Sequence, residues 1–263
     1  MSDTLKIVSW NINSVRARIE IVEQFLREEE PDILCLQETK VRDDQFPEGM
    51  FRRLGYNHLV LNGQPMHHGV AMISKVPLHE QTRNDWQANG EARHIGGILN
   101  NGVRVENVYI PAGGEVADRE VNPKFGQKLD FYERMTNWSK DLKTPTILLG
   151  DFNIAPLESD VWSHKQLLKI VSHTPIEVEH LAQAQDAGNW VDITRQDIPE
   201  GQLYSWWSYR AKDWSGADKG RRLDHIWATQ DIANAGHSSR IRRDVRGWEQ
   251  PSDHAPVFAS FDL

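Results

Sequence analysis

The sequence predicts an α/β fold in which mixed β-sheets are covered by helices. Three observations carry this. Strand-like and helix-like patterns alternate from the start of the chain. Asn100-Asn101-Gly102 stands between two strand patterns, Ile98-Leu99 and Val103–Tyr109, as the turn of an antiparallel hairpin. A long amphipathic run precedes the strand pattern at 146–153, so a helix feeds back into the sheet.

Taken in order, Lys6-Ile-Val-Ser-Trp-Asn11 alternates as a strand does. Residues 19–30 place Ile19, Val22, Phe25 and Leu26 on a helical stripe closed by Pro31. Asp32-Ile-Leu-Cys-Leu-Gln-Glu38 is a short apolar strand ending on an acid, and Gly69–Ser74 is another strand. Phe125, Leu129, Tyr132, Met135, Trp138 and Leu142 recur at steps of three and four, which predicts a helix over 124–142. Strands follow at 146–153, 204–209, 222–227 and 255–261. No linker, low-complexity tract or short repeat interrupts this series, so one domain is expected over 1–263.

Apolar residues make up 39% of the 263 and charged residues 26%, ordinary values for a soluble globular protein. The single cysteine, Cys35, lies inside an apolar run and reads as a small buried hydrophobe, which rules out an internal disulfide and a thiolate metal cage. The N-terminus has no apolar leader pattern and no membrane-length apolar stretch occurs, so a cytoplasmic protein without membrane contact is expected. A net charge of −8 argues against coating nucleic acid by bulk electrostatics. The charge is uneven, however. Residues 1–200 hold 21 Lys and Arg against 30 Asp and Glu, whereas 201–263 hold nine against eight. The basic residues between Arg210 and Arg246 read either as a solvated loop region or as a phosphate-facing patch. Ten tryptophans serve equally as core filler or as faces for stacking on bases and sugars.

Chemistry gathers at strand ends. Asn11, Gln37-Glu38, Asp151-Phe-Asn153, Asp224-His225 and Asp253-His254 each adjoin an apolar strand. In "TILLGDFN" the residues i and i+2 of an extended chain share a face, so Asp151 and Asn153 point the same way. Each piece has an ordinary reading too. Gly-Asp-x-Asn is turn chemistry, Glu38 fits a strand end in solvent, and Tyr109 fits a half-buried aromatic. As a set they are rich in hard oxygen, with His as the only nitrogen ligand type and no thiolate. That suits Mg²⁺, with Mn²⁺ as substitute, and metal-assisted phosphodiester hydrolysis.

The segments "SWNINS", "LQETK", "NVYIPAG", "GDFNIAP", "SWWSYR", "RRLDHI" and "PSDHAPVFASF" together resemble the exonuclease III family of abasic-site endonucleases, within the deoxyribonuclease I-like metal phosphodiesterases. The likeness covers Ile7 to Phe261. It implies a four-layer α/β sandwich: two mixed β-sheets packed face to face and flanked by helices. It also implies a monomeric DNA repair nuclease that cuts double-stranded DNA 5′ to abasic sites, trims 3′→5′ and cleans blocked 3′ ends. Carried over by position, Glu38 would be the main metal carboxylate, with Asn11 beside it and Asp253 supporting the metal or His254. Asp151 would orient and deprotonate the attacking water, with His254 as the other candidate base, and Asn153 would hold that water or a phosphate oxygen, both within reach of the metal. Tyr109 would contact the scissile phosphate or its leaving oxygen. Asp224 would pair with His254, which would bind a phosphate oxygen. Trp206 and Leu223 match two walls of a pocket for a flipped-out baseless sugar, and Arg221 stands where some relatives carry an aromatic third wall. Other phosphoesters (phosphoinositide, sphingolipid or RNA) and a non-catalytic nucleic-acid-binding role are the competing readings.

Overall fold

A computed structural model describes residues 4–263. Two six-stranded sheets form its centre. The first runs, side by side, β13 (His237–Ile241), β14 (Val257–Asp262), β1 (Thr4–Asn11), β2 (Ile33–Gln37), β4 (Val70–Ser74) and β3 (His58–Asn62). The second runs β5 (His79–Thr82), β6 (His94–Ile98), β7 (Arg104–Tyr109), β8 (Thr146–Asp151), β12 (Asp224–Ala228) and β9 (Val191–Asp192). A short ribbon, β10 (Trp206–Trp207) with β11 (Gly220–Arg221), stands apart.

Each six-stranded sheet holds one parallel pair, β1–β2 and β7–β8, and all its other pairings are antiparallel. A parallel pair needs a crossover, and each has a helix between its strands: Ile19–Glu29 in the first, Pro123–Lys140 in the second. Both strands of such a pair end at the same edge. Their antiparallel neighbours β14 and β12 begin there.

Period-two alternation sets the layers. In β2, Ile33 and Cys35 enter the core between the sheets, while Leu34 and Leu36 pack outward under Val22, Phe25 and Leu26 of the first helix. In β8, Ile147 and Leu149 face the same central core, and Leu148 faces outward onto Phe131, Tyr132 and Met135. The result is the helix–sheet–sheet–helix sandwich that the sequence led us to expect. Near one edge, buried polar groups cross between the sheets. Gln37 Nε2 donates to Asn107 Oδ1 at 2.7 Å, and Asn107 Nδ2 donates to the carbonyls of Leu36 and Ala71.

The structure corrects several element boundaries. Only Trp206–Trp207 of the 204–209 segment is strand, and it pairs with β11 outside the main sheets. The 222–227 segment is broken at Arg222, whose buried guanidinium is taken up by Asp160 and Asp192. The helix Pro175–Ala187 is absent from the elements the sequence predicts, although Thr174-Pro-Ile-Glu177 is a capping box with proline in the first turn.

Candidate active site

The common edge of the two parallel pairs collects the polar residues. Asn11 ends β1 and Glu38 follows β2; Tyr109 ends β7 and Asp151 ends β8. Asp224 opens β12 directly opposite Asp151, and His254 lies three positions before β14. Gly150 makes the last step of β8 possible. Its φ is +145°, and an added Cβ would lie 1.9 Å from the Val108 carbonyl oxygen of β7. Four polar residues at this edge (Asn13, Glu38, Lys40 and Asn153) have φ between 48° and 54°, so the chain turns sharply just where their side chains converge.

Asn11, fully buried, bridges the two sheets: its Nδ2 donates to Glu38 Oε1 and to Asp151 Oδ2, each at 2.9 Å. Lys40 Nζ lies 2.9 Å from Glu38 Oε2 and also bonds Asn13 Oδ1 at 2.6 Å. His254 Nδ1 is 2.8 Å from Asp224 Oδ2, and its Nε2 is 3.7 Å from Asp151 Oδ2. Ser205 Oγ donates to the same Asp224 oxygen at 2.6 Å. Asn153 is held through its N–H to Asp151 Oδ1 and through Nδ2 to the Ile110 carbonyl. Tyr109, Asp151, Asn153, Asp224 and His254 are all at most 9% exposed, so charges interact here with little screening.

Burial pushes the Asp151 carboxyl up to about 7; Asp224 and Glu38 add to this, while His254 and Asn11 oppose it. Burial opposes the charge on His254, but Asp224 and Asp151 outweigh it and raise the imidazole to about 10, so it is protonated near neutrality. Burial, then Glu38 and Asp151, raise the Tyr109 phenol well above its ordinary value, and it keeps its proton.

Ligand atoms of Asp151, Asp224 and His254 all lie within 4.8 Å of one another. Asp224 Oδ1 is buried with no hydrogen-bond partner. Buried carboxylates held this close favour a bound cation, which would restore the charge on Asp151. The oxygen-rich set around Glu38, Asp151 and the amides of Asn11 and Asn153 fits a hard divalent ion. Asp253 stands aside: its Oδ1 accepts from Asn13 Nδ2 and its Oδ2 from Trp206 Nε1, so it straps the loop rather than entering the close triad.

Trp206 forms an isolated bridge to His254 and packs with Leu223 on an apolar cluster of Ala155, Val161 and Leu167. Trp207, by contrast, is buried. Arg221 lies across the ribbon from Trp206 with its guanidinium 5.2 Å from the indole centroid, and it donates to Val171 O and Ser172 Oγ. The C-terminal basic run is not a single patch. Arg222 and Arg246 are buried, Arg240 and Arg242 pair with Glu28 and Glu29, and Arg243 pairs with Asp218. Among the described residues Arg210, Lys212 and Lys219 make no ion pair and are exposed. Lys40 and Ser205 are not marked as site residues in the sequence, because a lone lysine or hydroxyl carries no spacing signal.

The model of the endonuclease/exonuclease/phosphatase family matches residues 8–254. The chain belongs to this family. It is similar to exodeoxyribonuclease III of Haemophilus influenzae, at 32% identity over 98% of this chain and all of that protein. Among solved structures it resembles an AP endonuclease from Archaeoglobus fulgidus (TM-score 0.90, 32% identity) and a 3′-5′ exonuclease from Neisseria meningitidis (TM-score 0.91, 34% identity). Each likeness covers 98% of this chain and all of the other. For the endonuclease/exonuclease/phosphatase family the edge described above is therefore the candidate active site.

Proposed function

We infer that this protein is a DNA repair nuclease that hydrolyses phosphodiesters with Mg²⁺, or Mn²⁺ in its place. It incises duplex DNA 5′ to abasic sites, removes nucleotides 3′→5′ and clears blocked 3′ ends. The observation that carries the reading is the meeting of Glu38, Asp151, Asp224 and His254 at one edge, from four strand ends far apart in sequence. It is supported by relatives named for exodeoxyribonuclease, AP endonuclease and 3′ phosphatase activity, the last solved with a product DNA hairpin.

A phosphodiester is anionic and repels hydroxide, so the site must offset that charge and aim the nucleophile. Glu38 and Asp151, with Asn11 beside them, would hold a divalent ion, which would supply Lewis-acid stabilisation of the phosphate. Protonated His254, kept charged and oriented by Asp224, donates through Nε2 to a non-bridging oxygen. Asp151 accepts the proton of the attacking water, whose oxygen forms the new bond to phosphorus, and Asn153 aligns that water. Tyr109, still protonated, donates to the phosphate, and the 3′ oxygen departs and takes up a proton. The half-buried Trp206 and the buried Leu223 beside it form a wall for the sugar, with Arg221 as its polar third side.

One labelled duplex carrying a single abasic analogue tests the reading, alongside intact duplex, a 3′-phosphate end and an inositol phosphate. Expected products are a 5′ incision and 3′ trimming, abolished by chelator and restored by Mg²⁺ or Mn²⁺ better than by Ca²⁺. Hydrolysis of the inositol phosphate alone would move the protein to another branch of the family.

A further inference from the structure

Lys128 lies mid-way along the helix Pro123–Lys140, yet it is wholly buried. A lysine in that position survives only with partners. Its ammonium donates to Glu177 Oε1 at 2.5 Å, to the Asn153 carbonyl at 2.8 Å and to the Ala112 carbonyl at 3.4 Å. Glu177 is also fully buried, and it accepts from the N–H groups of Ser172 and Thr174 and from the Thr174 hydroxyl. The pair thus ties together the loop after Tyr109, the residues after Asp151, and the 172–174 turn against which Arg221 is anchored.

Apolar packing can replace many buried ion pairs without loss of stability, so stability alone does not explain this one. What an ammonium does here, and a methylene cannot, is hold the Asn153 carbonyl. Asn153 has φ +54° and is fixed at three points: its N–H on Asp151, its side-chain amide on Ile110, and its carbonyl on Lys128. Loss of the third point frees the peptide that follows and loosens the bond to the Asp151 carboxylate.

We propose that Lys128 is a positioning residue that sets the orientation of Asn153 against Asp151, with Glu177 keeping the lysine in place. This rests on the nuclease reading above. Lys128→Met alone strands the Glu177 charge and is expected to lose stability. The informative pair is therefore Glu177→Gln, which leaves an amine able to donate to Asn153, and the double variant Lys128→Met/Glu177→Gln, which removes both charges. On Mg²⁺-dependent cleavage of a duplex, the double variant is expected to melt near the unaltered protein and keep its KM. Its kcat should fall by about tenfold or more, the cost of a small misplacement of a reacting group. Glu177→Gln should keep more of its kcat than the double variant does, since its lysine can still donate to Asn153. Wild-type kcat in the double variant, or a kcat in Glu177→Gln as low as that of the double variant, overturns the role. Absence of cleavage by the unaltered protein overturns the nuclease reading and this inference with it.

Discussion

In the proposed mechanism the chemistry turns on Asp151. Buried beside Glu38 and Asp224 and held by Asn11, it is the carboxylate best placed to take a proton from water. Substituting Asp151→Asn keeps the volume and one of the two accepted bonds, from Asn11 or from the Asn153 N–H, but removes the proposed base. Turnover on DNA should drop by about three powers of ten or more while DNA affinity changes little. Titration of labelled duplex followed by single-turnover cleavage checks both; weak binding with normal saturated turnover would assign Asp151 to substrate capture instead. Ser205 belongs to the same scale. Its hydroxyl shares the Asp224 oxygen with His254, so Ser205→Ala should lower kcat by about tenfold with KM nearly unchanged. Steady-state kinetics with the KM effect dominant would contradict that placement.

At the scale of elements, β8 decides whether the site forms at all. Gly150 lets β8 pass within touching distance of β7, and any side chain there meets the Val108 carbonyl. Gly150→Ala must therefore push the two central strands apart one residue before Asp151. We expect a loss of about 3 kcal/mol or more in urea unfolding, together with most of the activity. A variant of unchanged midpoint would mean that the strand shifts freely. "TILLGDFN" made the strand and its polar end legible in the sequence, because period-two burial and a terminal glycine are local signals. The partner strand that demands the glycine was not legible there, since the clash involves a residue 42 positions away.

At the scale of the whole molecule, a buried charge network stands behind the site. Arg222, fully buried, donates to Asp160 and Asp192, and Arg195 shares Asp160. Burial alone would raise both carboxyls, but Arg222, joined by Arg195 at Asp160 and by His225 at Asp192, holds each below the usual carboxylate range. Both release protons more readily folded than unfolded. Their contribution is complete above the unfolded value of about 4 and is lost as pH falls through the lower folded values. Urea midpoints should thus decline between about pH 5 and about pH 3, and Asp192→Asn should decline less over that range. Parallel declines would show that the network does not set acid stability. The net charge of −8 and the internal pairing of most C-terminal arginines also limit phosphate contacts to a few, so DNA affinity should weaken only modestly with salt. A slope near zero would count against a DNA substrate.

The sequence by itself determined the layer pattern, the helical crossovers and the kind of chemistry. Alternation, helical spacing and hard-oxygen side chains at strand ends are properties of neighbouring residues. Only the tertiary structure decided which of those ends meet. Two parallel pairs end at one edge where their antiparallel neighbours begin, and this brings Asn11, Glu38, Asp151, Asp224 and His254 together. It also removed the apparent basic patch, because the acids that neutralise Arg222 and Arg240 lie 30 to 211 residues away. Strand pairing and charge neutralisation act across space, and no local spacing encodes them.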